Sequence, residues 1–287
     1  MTNSTTTINK KFELLIYDFI EFEGSILYRI QALKKFGDVK KGDLGGYIEK
    51  ETNLSHKGVC WVYDNAKVLG GAKVIENAKI KNFAVVKGKA IVMHNALIHN
   101  KAEISGKAKI FGKAQIGGKA IVKDLAQIHG SAKLLEDCVV SENAKISGYA
   151  QIRDFSEIRG FAKIYDYALI TGKAKVYGSS KIYGKAILSS TCIVKGRTII
   201  KDAFEVRSNA VIKDENDMFY MSLGVKEHII AYRLKNKDVY IKFKYYSGLI
   251  NNASEKIEEI DNIAEKIKYN TILEFVKESM QFDWEKV

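Results

Sequence analysis

The sequence predicts a mainly β chain: a parallel β-helix of hexapeptide repeats with a short N-terminal β cap and a small C-terminal α+β unit. Three observations predict it. Stepping by six from Ala66 to Ala210 visits 25 positions, and 19 are alanine. The residue two places after each is Val, Ile or Leu in all 25 cases. Four places after each, Gly, Asn or Asp fills 19 of the 25. A spacing of two puts alanine and the aliphatic on one face of a strand, and the residue between them, most often Lys, on the other. The Gly, Asn and Asp positions tolerate turns and positive φ. A helix, with its period of 3.6, would carry the apolar pair around its axis. The solution is a coil of three short strands and three corners, 18 residues per coil, about eight coils in all, stacked roughly 4.8 Å apart. The absence of proline in 287 residues suits a backbone hydrogen-bonded almost throughout.

Before the repeats, residues 1–53 read as a cap. MTNSTTTINKK is polar and has no apolar core of a secretory signal. FELLIYD (Phe12–Asp18) and ILYRIQAL (Ile26–Leu33) read as strands, and GDLGGYIEKE (Gly42–Glu51) as a glycine turn entering the first coil. Residues 54–215 are the repeat region, with no slip of register between Ala66 and Glu215. Cys60, Cys138 and Cys192 fall on multiples of six, so each replaces alanine as a small apolar filler. In residues 216–287, MFYMSLGV (Met218–Val225), HIIAYRL (His228–Leu234) and VYIKFKYY (Val239–Tyr246) read as an antiparallel sheet. ASEKIEEIDNIAEKI (Ala253–Ile267) and TILEFVKESMQFDW (Thr271–Trp284) read as two helices. No apolar run is long enough for a transmembrane helix, and a cytoplasmic location is expected.

YRIQALKKFGDVKKGDLGGYIEKETNLSHKGVCWVYDNAKV, Tyr28 to Val68, resembles the entry segment of the YdcK-like bacterial and phage hexapeptide-repeat proteins. The features that match are the YRIQAL strand, the GDLGGYIE turn, the NLS triplet and the WVYDNA run. The resemblance implies a left-handed coil, a homotrimer and a nominal acyltransferase activity. A phage origin would place the chain in the host cytoplasm and make sequestration of a nucleotide signal of host defence one expected role.

The net charge is +12, and the repeats carry all of it: residues 66–215 hold 26 Lys/Arg against 13 Asp/Glu. Stepping by 18 sorts these by face. The face that begins at Ala72 turns Lys73, Lys109, Lys145, Lys163 and Lys181 outward. Beside them run Phe111, His129, Tyr165 and Tyr183, with Tyr149 and Tyr167 around the next corner. A lysine row beside aromatics is a surface able to hold a nucleotide or nucleic acid. A solvated basic surface has the same composition, because lysine stems cover apolar area well. The face that begins at Ala66 turns out Val85, Ile121, Val139, Ile193 and Val211, split by Glu103, Glu157, Lys67 and Lys175. Such a column fits packing of identical coils about a three-fold axis.

An enzyme reading is the alternative. An acyltransferase of this class would take acetyl-CoA, and His129 is the best placed of five histidines to act as base. No inserted loop breaks the repeat to shape a pocket, and the reading favoured by the residues is a binding scaffold without a cofactor or metal. A purely structural, oligomer-forming role is the third possibility. Scarce threonine speaks against an ice-binding array and positive charge against DNA mimicry, and no P-loop or dinucleotide fingerprint sits between a strand and a helix.

Overall fold

The computed structural model describes residues 10–224 and 227–281. The first nine residues, Val225 at the end of one expected strand, and residues 282–284 of the second expected helix lie outside the described residues. The chain is a left-handed parallel β-solenoid of about nine turns with a small C-terminal sheet and helix unit. It divides into two compact units, Met1–Asp154 and Phe155–Val287.

In both units the repeat has one geometry. Each strand is two residues long, such as Lys67–Val68, Lys73–Val74 and Lys79–Ile80. Each pairs in parallel with the strand 18 residues on: Lys67 with Val85, Lys73 with Ile91, Lys79 with Leu97. Main-chain bonds join the turns, for example Lys67 N to Ala84 O at 2.9 Å and Leu69 N to Val86 O at 3.0 Å. Alanine and its aliphatic partner line the inside and are fully buried, as Ala108, Ile110, Ala162 and Ile164 show. Cys60, Cys138 and Cys192 are buried and free. Ser180 and Thr198 also occupy the alanine slot. Their hydroxyls donate to the carbonyls of Tyr177 at 3.0 Å and Lys195 at 2.8 Å, which removes the cost of burying them.

The corners are more uniform than their composition. Every fourth-place residue from Gly70 to Asp202 has positive φ, including Glu76, His94, Glu136, Glu142 and Ser190. Side chains compensate where glycine is absent. Asp64 Oδ2 accepts from Asn82 N at 2.8 Å, Asn82 Oδ1 from Asn100 N at 3.1 Å, and Glu76 Oε2 from His94 N at 2.8 Å. These polar corner residues thus cap the corner of the next turn.

The first turn is hidden from the count of six. Leu44–Ile48 is a strand, not only the expected glycine turn: it pairs antiparallel with Ser25–Ala32 and parallel with Lys67–Val68. Leu54 bridges to Val74, and Trp61–Val62 pairs with Lys79–Ile80. An irregular turn therefore precedes Ala66, which raises the count from about eight to about nine. Gly45 and Gly46 permit it. A Cβ on Gly46 would lie 2.4 Å from the Ala66 carbonyl oxygen.

The N-terminal strands form one hairpin, Phe12–Phe22 with Ser25–Ala32, longer than expected because Glu23 and Gly24 both take positive φ in a two-residue turn. Its tip reaches the outside of the Ala66 face. Lys87 Nζ meets Glu23 at 2.7 Å, and Ile20, Phe22 and Val85 pack with Leu27, Tyr47 and Leu69.

The C-terminal sheet has four strands, with Tyr246–Leu249 added after a two-residue turn that the run KFKYY conceals. The helices are Ala253–Glu258 and Ile263–Gln281 rather than the expected spans. The shift has a local cause: Asn262 Oδ1 accepts from Glu265 N at 3.0 Å, an N-cap that starts the second helix early. Ile229, Ala231, Ile241 and Phe243 pack against Ile257, Tyr269, Leu273, Val276 and Met280. Phe204, in an alanine slot, meets Tyr220 and Tyr232 at ring distances of 6.2 and 6.3 Å, so the end of the coil is filled by rings.

Gly46→Ala is expected to destabilise by about 1–3 kcal/mol, since backbone rather than a movable side chain blocks the added methyl. Cys192→Ala, which installs the commonest residue of its slot, should cost less. Chemical denaturation of both variants compares them, and equal losses would contradict this account of the slots.

Candidate anion-binding face

The outward row of the Ala72 face is set by the repeat, because strand pairing puts residues 18 apart side by side. In the first unit Lys109 lies between Ile91 and Gln127, and Lys145 lies beside Gln127. Neither has a lysine directly alongside among these pairs. In the second unit Lys163 and Lys181 are direct partners. All four are exposed. Among the described residues none has a carboxylate at ion-pair distance. Lysines elsewhere do: Lys79 meets Asp38 at 2.8 Å, Lys87 meets Glu23 and Glu103, and Lys175 meets Glu157 at 3.3 Å. Two ammonium groups on adjacent strands without a counter-charge repel each other, and a bound anion would relieve that repulsion.

The aromatic neighbours are stacked on one another. Tyr165 and Tyr183 lie 4.8 Å apart with planes 5° from parallel, and Phe111 and His129 lie 4.8 Å apart at 10°. Each ring therefore spends one face on its neighbour. Tyr149 and Tyr167 are 57% and 62% exposed at the corners. The row of candidates omits two cations. Arg197 precedes the strand Ile199–Ile200 and Lys185 follows Tyr183, and both are exposed. Steps of 18 from Ser179 and Tyr167 reach them.

His129 is partly buried, and that burial, with the Lys145 charge, lowers its pKa below the ordinary 6.5. Both causes favour the neutral imidazole, the form a base requires. No carboxylate or hydroxyl orients it among the described residues. His94 faces Glu76 at 3.5 Å, and its Nδ1 accepts from Gly112 N at 3.3 Å. His99 Nδ1 sits 2.6 Å from Asn100 Oδ1.

On the Ala66 face, Ile121 pairs with Val139 and Ile193 with Val211, all partly exposed. Val85 packs under the N-terminal hairpin of its own chain. A concavity of about 600 Å³ in the second unit is lined by Ala203, Glu227, His228, Ile230, Lys242, Phe243 and Lys244. Its lysines are already neutralised, Lys242 by Glu205 at 2.6 Å and Lys244 by Glu265 at 3.1 Å. No helix among the described residues is long and apolar enough to cross a membrane.

Fold and face define a hexapeptide-repeat left-handed β-helix with a basic side. Sequence comparison adds a relative: the chain is 48% identical over 48 residues to "Uncharacterized acetyltransferase YdcK" of Escherichia coli (strain K12), so the resemblance to YdcK-like hexapeptide-repeat proteins holds in sequence. That match takes 16% of this chain and spans about 15% of the relative's length. Among solved structures, UDP-N-acetylglucosamine acyltransferase from Campylobacter jejuni aligns over 78% of this chain and 80% of its own, at 12% identity and a TM-score of 0.31. No family model matches the chain.

The His129 imidazole should titrate below 6.5 by NMR, and Lys145→Gln should move the midpoint upward, because removing a nearby positive charge favours the protonated ring. A midpoint that does not move would remove Lys145 as a cause.

Proposed function

We propose that the protein is a non-catalytic scaffold that binds a phosphate-bearing ligand on its Ala72 face. The observation that carries this reading is the adjacent pair Lys163 and Lys181, exposed and, among the described residues, without a carboxylate partner. In the second unit Tyr165, Tyr167 and Tyr183 supply hydroxyls and rings beside it; in the first unit Lys109, Lys145 and Tyr149 are the corresponding outward residues. Such a surface acts through charge, so a nucleotide or a single-stranded nucleic acid is the fitting ligand class, and sequestration of a nucleotide signal is the corresponding role. Residues 1–53 and 216–287 serve as end caps of the 54–215 scaffold, which covers strand edges that would otherwise recruit other chains. Ile121, Val139, Ile193 and Val211 are the residues through which three copies would pack, with Val85 contributing through its own hairpin. A cytoplasmic site of action completes the reading.

A second reading has one observation in its favour, the 48-residue match to a protein named as an acetyltransferase. Under it, acetyl-CoA is the donor and neutral His129 the base. The two readings separate experimentally. Titration with fluorescent oligonucleotides and nucleotides at rising salt should show affinity falling with ionic strength, and Lys163→Glu with Lys181→Glu should weaken binding at least about tenfold at low salt. Binding unchanged in that variant would reduce the row to solvated surface. Turnover of acetyl-CoA that is abolished in His129→Ala would replace the scaffold reading with the enzyme one.

A further inference from the structure

The three cysteines occupy equivalent inward slots, but their surroundings differ. Cys138 and Cys192 sit among aliphatics, and burial pushes both thiols up to about 12. Cys60 sits against an amine. Lys11, at the start of the N-terminal hairpin, is 1% exposed. Its Nζ donates to the Cys60 carbonyl at 2.8 Å and lies 3.3 Å from Cys60 Sγ. The Phe36 ring covers the ammonium position at 4.8 Å. Among the described residues no carboxylate pairs with Lys11, although Glu51 pairs with the adjacent Lys10 and with His56. A buried amine without a counter-charge is costly as the cation. Burial accordingly lowers the Lys11 pKa, with Lys34 acting the same way and Cys60 opposing, while burial raises that of the Cys60 thiol against the opposing pull of Lys11. Both effects favour a neutral amine beside a neutral thiol, held in contact by packing.

We propose that Lys11 and Cys60 form an oxidative cross-linking site, joined through an N–O–S bridge with dioxygen as the oxidant. The S–H bond and one N–H bond break, and new S–O and O–N bonds form. One oxygen atom becomes the bridge, and the other leaves as water with the two hydrogens. Sulfur and nitrogen each give up two electrons, and dioxygen takes all four. The contact needs only a short closure for the bridge to form, because Nζ and Sγ already lie 3.3 Å apart in the buried interior. Phe12, next to Lys11, stacks on His56 at 4.4 Å and meets Trp61 edge-on at 6.3 Å, so the backbone on both sides is fixed. The bridge would tie the first strand of the hairpin to the first turn of the coil and restrict the unfolded chain as a disulfide does.

The test uses the full chain carrying Cys138→Ala and Cys192→Ala, which fill two alanine slots and leave Cys60 as the single thiol. Protein prepared anaerobically under reductant is then exposed to dioxygen, and intact mass and peptide maps are recorded. The expected result is a gain of about 14 Da, one oxygen added and two hydrogens lost, with Lys11 and Cys60 peptides linked and released by thiol reductant. The linked form should melt several degrees higher than the reduced one. Cys60→Ala, whose new side chain suits its slot, should show neither the mass gain nor the reductant-sensitive melting shift, and Lys11→Arg should keep a free thiol. A Cys60 thiol that stays free in dioxygen, or that oxidises to sulfenic or sulfinic acid with Lys11 unlinked, overturns the proposal.

Discussion

The structure depends on a main-chain ladder that ties each residue to one in the next turn, such as Lys73 N to Ala90 O and Ile91 N to Ala108 O, both at 2.9 Å. The ladder holds only while every turn keeps the same length, because one inserted residue would reverse which side chains face inward. That constraint explains the inner slots. A narrow coil leaves room for alanine, cysteine, serine or threonine at one position and a branched aliphatic at the next. It also explains the corners, where positive φ is imposed on glutamate and histidine as well as glycine, and where carboxylates and amides cap the following turn.

The same ladder makes the surface periodic. A residue chosen once on the outside is echoed 18 places later at strand spacing, so a lysine column arises from sequence choice at a few positions. On the Ala66 face such lysines are met by carboxylates, Lys87 by Glu103 and Lys175 by Glu157. On the Ala72 face, among the described residues, they are not. The difference is one of partner placement rather than of lysine number. Exposed ion pairs contribute little to stability, commonly under about 1 kcal/mol. Leaving the Ala72 lysines unpaired therefore costs the fold little and keeps their charge available.

The ends break the periodicity, and there the side chains become large. Trp61, Phe12 and Phe36 fill the first turn, and Phe204 with Tyr220 and Tyr232 fills the last. A stacked coil exposes unpaired strand edges and an open core at each end, and rings close that area more fully than alanine can. The burial of Lys11 follows from this closure: the strand that brings Phe12 over Trp61 carries the neighbouring lysine inside with it.

The repeat was readable from alanine and Val/Ile spacing alone, because a period of six leaves no other regular backbone, and the inner and outer positions followed from it. The caps were readable only as strands and helices. The strand Leu44–Ile48 and the bridge at Leu54 pair with residues far along the chain, so no local pattern announces them, and Asn262 sets a helix start by one hydrogen bond. The outward lysines were visible by counting, whereas their lack of partners was not, because Asp38 reaches Lys79 and Glu23 reaches Lys87 from segments outside the repeat. Sequence determined which residues face inward, since that depends on spacing. Tertiary structure decided which charges are neutralised, which rings stack and which cysteine meets an amine, since each depends on chain segments brought together from a distance.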